Sequence, residues 1–240
     1  MSELIVTHSA GITSCLSVRL HDVVQFRVDS GRWPISVDST GQFSRYWARP
    51  DSPIDTRLLR PIPPEEPDFA PPVFTHDDQF IDYDGLDAKI FPVAHHYCFP
   101  SDEVKEVASE IAERMAGRTM VHYRGNDKGR ERPRVSYDAM FAAAREAGGP
   151  YWLLTDELEF QTAFYKTFPD TDHLRYLPAI KRNDQGFVTG LPMDRPLFAV
   201  RFLAALFAAR HSQRLVVTTG NTSLWIVLWR RDTEGLFQQR

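Results

Sequence analysis

The second half of the chain alternates short apolar runs with stretches of helical periodicity, and this alternation limits the folds open to it. Strands are predicted at 119–123, 151–155, 174–177 and 214–219, and helices at 137–147, 157–168, 196–210 and 223–230. Such alternation predicts a parallel sheet covered by helices, which binds ligands at the carboxyl ends of its strands. The expected class is α/β, with functional residues directly after each strand.

The first half opens in the same way and then changes character. An apolar run at 4–6, a break at 9–11 and helical spacing over 16–24 predict strand, turn and helix, as in a Rossmann-like unit. A second strand is predicted at 35–39. Residues 50–87 are rich in proline and acidic side chains, which predicts a long irregular connection. It is either an acceptor-side loop or a solvated surface excursion.

A helix start near residue 101 suggests how the chain divides. Ser101 is a typical N-cap, Asp102 follows it in an acidic first turn, and the helix should stop at Gly117. We therefore predict an N-terminal half at 1–100, which contains the irregular segment 50–87, and a C-terminal half at 101–240. The adjacent pair His95-His96 is interpreted as a structural part of a strand, not as a metal site.

Composition excludes several classes of protein. Of 240 residues, 42% are hydrophobic and 25% charged, and the net charge of −4 argues against a surface that coats nucleic acid. The two cysteines, Cys15 and Cys98, are too few for a disulfide framework and suit a reducing compartment. Without a secretory signal or a spanning apolar run, we expect a soluble cytoplasmic protein with no membrane span. The oligomeric state is not indicated.

The loop after the strand at 119–123 is the most cationic part of the sequence. Residues 118–134 hold six Arg or Lys against Asp127 and Glu131, a local charge of +4. Arginine offers a planar fork to phosphate oxygens, and lysine offers a point charge. The pattern predicts a diphosphate site, although a surface loop with Arg–Asp pairs would have the same composition.

Two further strand ends carry polar residues. Thr219, Gly220, Asn221, Thr222 and Ser223 precede an apolar helix, so they form either an anion site at a helix N-terminus or a simple N-cap. Residues 9–15 form a similar loop in the first half. Asp156 could bind a ribose or sugar hydroxyl, but capping of the next helix is favoured.

Several well-known motifs are missing from the sequence. It has no P-loop, no G-x-G-x-x-G, no H-E-x-x-H and no G-x-S-x-G, so P-loop phosphoryl transfer, hydride transfer and hydrolase triads have no motif support. No Asp-x-Asp motif directly follows a predicted strand, which favours chemistry without a metal.

Taken in order, the strand ends resemble a known family. His122-x-Arg124-x-x-Asp127-Lys128 followed by Glu131 is similar to the H-x-R-R-T-D-K…E segment of the alpha-1,6-fucosyltransferase and nodulation-fucosyltransferase group, which is related to protein O-fucosyltransferases. Residues 152–156 and 215–223 resemble that family's Y-L-A-T-D strand end and its serine/threonine loop, and 11–16 resembles its glycine-rich loop. The resemblance covers most of 118–230 and about 20 residues at the start.

The resemblance implies a GT-B-like architecture, in which two Rossmann-like parallel-sheet halves face a cleft. Residues 1–100 would form the acceptor side, and 101–240 would form the half that binds the nucleotide sugar. It implies an inverting, metal-independent glycosyltransferase that moves fucose from GDP-fucose to a glycan or other hydroxyl acceptor, with no cofactor. The implied donor contacts are Ser14, Cys15, His122 (nucleoside), Arg124 (β-phosphate), Lys128, Asp156 and 219–223. The implied catalytic residues are Arg124, Glu131 as base, and Asp127, which with Lys128 organises the loop.

The sequence departs from the family pattern in three places. Gly125 and Asn126 replace the family's second arginine and threonine, and the Lys-to-Glu spacing is one residue shorter. The acidic residue that reads guanine has no counterpart in 198–209. Two alternatives therefore stay open: a GT-B transferase for another nucleotide sugar, and a non-catalytic member that binds nucleotide or glycan.

Overall fold

The structure is a computed structural model, and it describes residues 3–39, 41–46, 55–65, 67–126, 133–175, 177, 179–182 and 194–240. Within these residues, the chain forms a two-stranded sheet and a five-stranded sheet, and every strand pair is parallel. The predicted α/β class with two parallel-sheet units is confirmed.

The first sheet is built around one long helix. Strand β1 (Glu3–Ile5) leads into helix α1 (Ile12–Ser30), and strand β2 (Ser36–Asp38) then pairs with β1 in parallel. Helix α1 ends at Gly31, whose φ of 74° is a left-handed conformation that glycine adopts without strain. The predicted strand–turn–helix–strand opening is confirmed.

The segment after β2 is irregular, as predicted, but it is not simply solvated. Its described part contains a 3-10 turn at Ser44–Tyr46 and, within the predicted irregular segment 50–87, helix α2 (Asp55–Leu58) and two more 3-10 turns, His76–Phe80 and Tyr83–Gly85. Leu58, Phe74 and Tyr83 are buried, so apolar packing anchors the segment. The turn at His76–Phe80 packs against α1.

The strand predicted around the histidine pair is wrong, because these residues belong to helix α3 (Ile90–Tyr97). The buried residues of this helix, Ile90, Val93, Ala94 and Tyr97, recur at helical spacing. His95 Nε2 lies 3.3 Å from the Trp229 carbonyl oxygen, and burial lowers the pKa of His95 to about 4. His95 is thus a neutral structural residue, in line with the structural interpretation.

The second half begins with helix α4 (Asp102–Met115), and Ser101 Oγ accepts the Val104 N–H at 3.2 Å as its cap. The remaining elements are β3 (Thr119–Tyr123), α5 (Tyr137–Ala147), β4 (Tyr151–Thr155), α6 (Leu158–Thr167), β5 (Thr171–His173), α7 (Arg195–Ala209), β6 (Leu215–Thr218), α8 (Asn221–Arg230) and β7 (Leu236–Gln239).

The five-stranded sheet has the order β5-β4-β3-β6-β7. Its three central strands are fully buried. The edge strands are where the sequence prediction fails: β5 precedes the predicted strand at 174–177, and β7 was not predicted. Strand β5 is polar, β7 is apolar only at its first two residues, and both are half-buried. Neither shows the continuous apolar run that marks a buried parallel strand.

The core joins the two halves. Helices α1 and α3 pack on α8, and α4 packs on α7, around a cluster that includes Trp225 and Trp229. The division after residue 100 therefore stays a prediction. No helix in the described ranges is long and apolar enough to cross a membrane.

Candidate functional site

Three loops meet at one edge of the five-stranded sheet. Strand β3 lies between β4 and β6, so the carboxyl ends of these strands are neighbours. Arg124 follows β3, Asp156 follows β4 and Thr219 follows β6. These are the positions at which parallel sheets bind ligands.

The loop after β3 is held by its neighbours. The Arg124 N–H donates to Thr218 Oγ1 at 3.2 Å, and Arg124 Nε lies 3.9 Å from Asp156 Oδ2. Asp156 Oδ1 accepts the Gly125 N–H at 3.0 Å. The favoured prediction that Asp156 caps α6 is wrong: the N-cap residue is Glu157, and the Asp156 side chain supports the loop that carries Arg124.

Not all of the basic residues in 118–134 face a ligand. Arg134 donates to the carbonyl oxygens of Gly125 (2.8 Å) and Asn126 (2.9 Å), which closes the loop on itself. Arg118 pairs with Asp170 at 3.2 Å. Positions 127–132 lie outside the described residues. Arg124 is thus the described basic residue of this segment that lines a cavity.

A buried carboxylate lies directly behind the loop. Glu157 is completely buried, and its Oε1 accepts hydrogen bonds from the Tyr137 hydroxyl and the Arg182 guanidinium. Its Oε2 has no hydrogen-bond partner in the described part of the chain. A Cβ at position 125 would clash with this oxygen. Any side chain at position 125 would require Glu157 and Tyr123 to shift, which favours glycine where the family has its second arginine.

We expect Gly125→Ala to destabilise the protein and displace Arg124. The added methyl group must move a buried carboxylate that holds Arg182, and overpacking of this kind costs about 1–3 kcal/mol. Denaturant unfolding measures the loss. The control is Gly85→Ala, because a Cβ at Gly85 meets no atom within 4 Å. If both variants unfold at the wild-type midpoint, the described contact with Glu157 is wrong.

Two hydroxyl groups of the turn between β6 and α8, predicted to contact a phosphate, bond to the protein backbone instead. Thr219 Oγ1 donates to a β7 carbonyl at 3.0 Å, and Ser223 Oγ donates to a β6 carbonyl at 2.6 Å. Thr222 Oγ1 lies 3.4 Å from Thr13 Oγ1 of α1. The prediction that the Thr219 and Ser223 hydroxyls supply phosphate contacts is corrected, because they donate within the protein and hold the turn. A phosphate contact of the Thr222 hydroxyl stays a prediction.

The backbone of the same turn is better placed to bind an anion. Gly220, the N-cap of α8, has a φ of 148° that favours glycine, and no side chain caps this helix. The Gly220 N–H itself is not a phosphate donor, because it donates to the Tyr83 hydroxyl at 2.9 Å. Asn221 accepts the Ser17 hydroxyl at 2.6 Å and lines the cavity. The donors that the turn can offer are therefore the first-turn amides of α8.

His122, on strand β3, contacts this turn through Ser223. It is 5% exposed, and its Nδ1 lies 2.8 Å from Ser223 Oγ. Because the Ser223 hydroxyl donates its only proton to the β6 backbone, Nδ1 is the protonated nitrogen. The contact between His122 and the nucleoside stays a prediction, since His122 does not line the described cavity.

The start of α1 faces the site from the first half. Its N-cap, Gly11, provides no side-chain cap, and the first turn holds no acidic residue. The Ser14 hydroxyl is 3.0 Å from His8 Nε2. Gly11, Thr13 and Ser14 all line the cavity, so a second helix N-terminus points at the same space.

Cys15 has a structural role that differs from the prediction. Its N–H donates to the Gly11 carbonyl at 2.9 Å within α1, and its thiol donates to the Gln42 carbonyl at 3.2 Å. Burial raises the pKa of Cys15 to about 11. The predicted backbone contact of Cys15 with the donor is corrected, because that N–H is already bonded. Cys15 anchors the loop before α1.

A cavity of about 650 Å³ lies between the two helix starts, within the usual size range of ligand pockets. It is lined by His8, Ala10, Gly11, Thr13, Ser14, Val18, His21, Arg45, His76, Gln79, Arg124 and Asn221. Both predicted halves contribute to it, but most of the wall comes from the first.

Two arginines give the cavity a positive end. Burial raises the pKa of Tyr46 to about 12, and the charges of Arg124 and Arg45 both act on its hydroxyl in the opposite direction. Both arginines line the cavity, together with residues from two helix N-termini that each carry a partial positive charge. This end of the cavity suits a ligand with more than one negative charge.

Sequence reasoning missed several cavity residues. Arg45 and His8 follow β2 and β1, so the rule that sites follow strand ends would have found them if applied to the first half. His21, His76 and Gln79 carry no such signal, because they come from the side of α1 and from a 3-10 turn. The predicted residues Asp127, Lys128 and Glu131 lie outside the described residues.

The chain contains two Asp-x-Asp triplets, and both are engaged elsewhere. Asp170 and Asp172 flank the first residue of β5 and pair with Arg118 and Arg114. They lie at the amino end of that strand, on the opposite edge of the sheet from the cavity. Asp82 accepts the Asp84 N–H and pairs with Arg240.

Solved structures of known proteins share the fold of this chain, although their sequences differ widely from it. No protein-family model matches the sequence, and no curated protein matches it. The chain is similar to solved structures of the alpha-1,6-fucosyltransferase NodZ, which belong to the group that the sequence motifs resemble. The predicted GT-B-like architecture of two Rossmann-like halves facing a cleft is confirmed by this similarity.

Sequence identity, coverage and TM-score are similar for three NodZ structures. NodZ soaked with GDP-fucose is 11% identical, with 95% of this chain and 92% of that chain covered and a TM-score of 0.60. NodZ from Bradyrhizobium is 13% identical, with the same coverage and a TM-score of 0.58. NodZ co-crystallized with GDP is 12% identical, with 95% and 91% covered and a TM-score of 0.56.

Proposed function

We propose that this protein is a fucosyltransferase-like glycosyltransferase, which moves a sugar from a GDP-sugar to a hydroxyl group of a glycan or similar acceptor. The observation that carries the proposal is the positive end of the cavity, which is lined by two helix N-termini without side-chain caps and by two arginines, one from each half. A nucleotide diphosphate has the charge and the oxygen atoms for this arrangement. The NodZ structures solved with GDP-fucose and GDP support the choice of nucleotide.

The chemistry follows from where charge grows during transfer. As the bond between sugar and diphosphate breaks, negative charge accumulates on the leaving phosphate. Arg124 and the first-turn amides of α1 and α8 are fixed in place, so they can stabilise that charge without reorganisation. We therefore propose that the protein itself supplies this stabilisation and that transfer is metal-independent. Inversion at the sugar follows if one direct displacement occurs.

The acceptor hydroxyl must lose a proton as the new bond forms. We propose Glu131 as the base, with Asp127 as the alternative, on the family resemblance. Lys128 is proposed as a further phosphate contact on the same ground. A cytoplasmic location is also proposed, and it is supported by two buried free thiols, Cys15 and Cys98.

The proposal predicts that GDP stabilises the protein in the presence of EDTA. A ligand at one hundred times its Kd stabilises the folded state by about 2.7 kcal/mol. For a chain of this size that is a rise in Tm of roughly 5–10 °C. Thermal shift with GDP, UDP and ADP measures it. No rise with any nucleotide contradicts the proposed function, and a rise that needs magnesium or manganese contradicts metal independence.

The same assay separates the alternatives. An equal or larger shift with UDP or ADP would favour a transferase for another nucleotide sugar. Binding of GDP without release of fucose from GDP-fucose, to water or to any offered acceptor, would favour a non-catalytic binding protein. Turnover of GDP-fucose supports the proposal.

A further inference from the structure

The cavity continues beyond the positive end, along the side of α1. Ser14, Val18 and His21 lie on one face of this helix, since they are spaced four and three residues apart. At about 1.5 Å per residue, His21 is about 10 Å farther along the axis than Ser14. The cavity therefore has a second end that a phosphate bound at the helix start would not reach.

The second end is walled by imidazole and amide groups. The 3-10 turn that starts at His76 packs on α1, and the His21 and His76 rings meet edge to face with centroids 6.1 Å apart. Gln79, from the same turn, is 6% exposed, and its Oε1 has no hydrogen-bond partner among the described residues. His21 Nδ1 is likewise buried without a partner there. Buried polar atoms without partners are rare, and the two residues that carry these atoms line the cavity.

Two carboxylates, Asp77 and Asp22, lie near this end of the cavity. Asp77 Oδ1 lies 3.2 Å from His76 Nε2. Burial raises the pKa of Asp22, and His21, His8 and His76 act on it in the opposite direction, which places a second carboxylate beside the histidines. The arginines lie at the other end. A second anionic group would therefore gain little here, whereas hydroxyl groups match imidazole and amide groups, which both donate and accept hydrogen bonds.

Tyr83 connects the two ends. Its buried hydroxyl lies 3.1 Å from the Gln79 carbonyl oxygen, and it accepts the N–H of Gly220, the N-cap of α8, at 2.9 Å. A group bound at Gln79 is thus held at a fixed position relative to the phosphate end.

We propose that His21, His76 and Gln79 form a subsite for a neutral, hydroxyl-rich group, namely a pyranose of the acceptor. This inference rests on the proposed function. The wall of the subsite comes from the first half alone, whereas the second half contributes Arg124 and Asn221 at the phosphate end. On the family resemblance the first half is the acceptor side, which supports assignment of this subsite to the acceptor and not to the nucleoside of the donor.

The test is saturation-transfer NMR on the full chain, with and without saturating GDP. The probes are methyl glycosides of glucose, galactose, mannose and N-acetylglucosamine. We expect at least one to bind, and Gln79→Ala or His76→Ala to weaken that binding by about fivefold each, the effect of one lost hydrogen bond. The Kd of GDP should stay within about twofold of the wild-type value, because neither residue lies at the phosphate end.

Matched controls are Gln25→Ala and His211→Ala, because Gln25 is an exposed residue of α1 bonded to Asp29 and His211 lies outside the cavity. Circular dichroism checks the fold of each variant. The subsite is overturned if no glycoside binds, if binding survives both cavity variants, or if those variants weaken GDP binding. If the wild-type protein does not bind GDP, the proposed function is overturned instead. A methyl glycoside that still binds, and whose binding depends on Gln79 and His76, would in that case support a sugar subsite independently of the nucleotide.

Discussion

Replacing Arg124 by lysine is expected to lower kcat/KM for GDP-fucose by about 10²–10³-fold, although the positive charge is kept. Lysine cannot form the planar two-pronged contact with phosphate oxygens. Removal of one preorganised donor from a developing negative charge costs about this much in rate. The backbone of Arg124 is fixed by Thr218 and its side chain stands beside Asp156, so the guanidinium is positioned before the substrate binds.

Arg114→Lys is the matched control for this experiment. Arg114 makes an exposed ion pair with Asp172, and a pair of that kind contributes about 0–1 kcal/mol. Steady-state kinetics with GDP-fucose, together with the Kd of GDP by calorimetry, compare the two variants. Near-normal turnover of the Arg124→Lys protein would mean that Arg124 serves only as a partner of Asp156.

The sequence predicted the fold best where the elements are buried on both sides. Strands β3, β4 and β6 read as continuous apolar runs, and helices α4, α5 and α7 carry side-chain caps that mark their starts. The edge strands β5 and β7 lack such runs. The sequence predicts a strand where helix α3 lies, because α3 is only eight residues long and apolar. The periodicity of so short an apolar run does not distinguish a helix from a strand.

The site was predicted through one geometric rule, that parallel strands end at a common edge. The rule found Arg124 and Asp156 correctly as neighbours. It could not tell which polar groups face outward, and so it assigned the hydroxyls of Thr219 and Ser223 to a ligand when they bond to β7 and β6. The rule also could not predict why position 125 is a glycine. Its neighbour Glu157 is distant in sequence and contacts it only in the folded chain.

The second end of the cavity illustrates the same limit. His21 and Gln79 are 58 positions apart, in a helix and in a turn within an irregular segment. Proline-rich sequence predicts irregularity but not what an irregular segment packs against. Only the packing of the His76 turn on α1 makes these residues neighbours.

Glu131→Gln is expected to lower kcat by about 10²–10⁴-fold, the usual effect of a missing general base. The Kd of GDP should stay nearly unchanged, because a base acts on the acceptor hydroxyl and not on the diphosphate. Single-turnover transfer from GDP-fucose and calorimetry with GDP measure the two quantities separately.

The competing role for Glu131 is that of a counter-ion in a cationic loop. A missing counter-ion would weaken GDP binding and thermal stability together, whereas a missing base would leave both in place. The structure makes the counter-ion role less necessary, because Asp156 already stands 3.9 Å from Arg124 and Arg134 is bonded to the loop backbone. Asp156→Asn is therefore the matched control. We expect it to weaken GDP binding more than Glu131→Gln does. If Glu131→Gln transfers sugar at the wild-type rate, Glu131 is not the base, and Asp127→Asn is the variant that must then lose transfer.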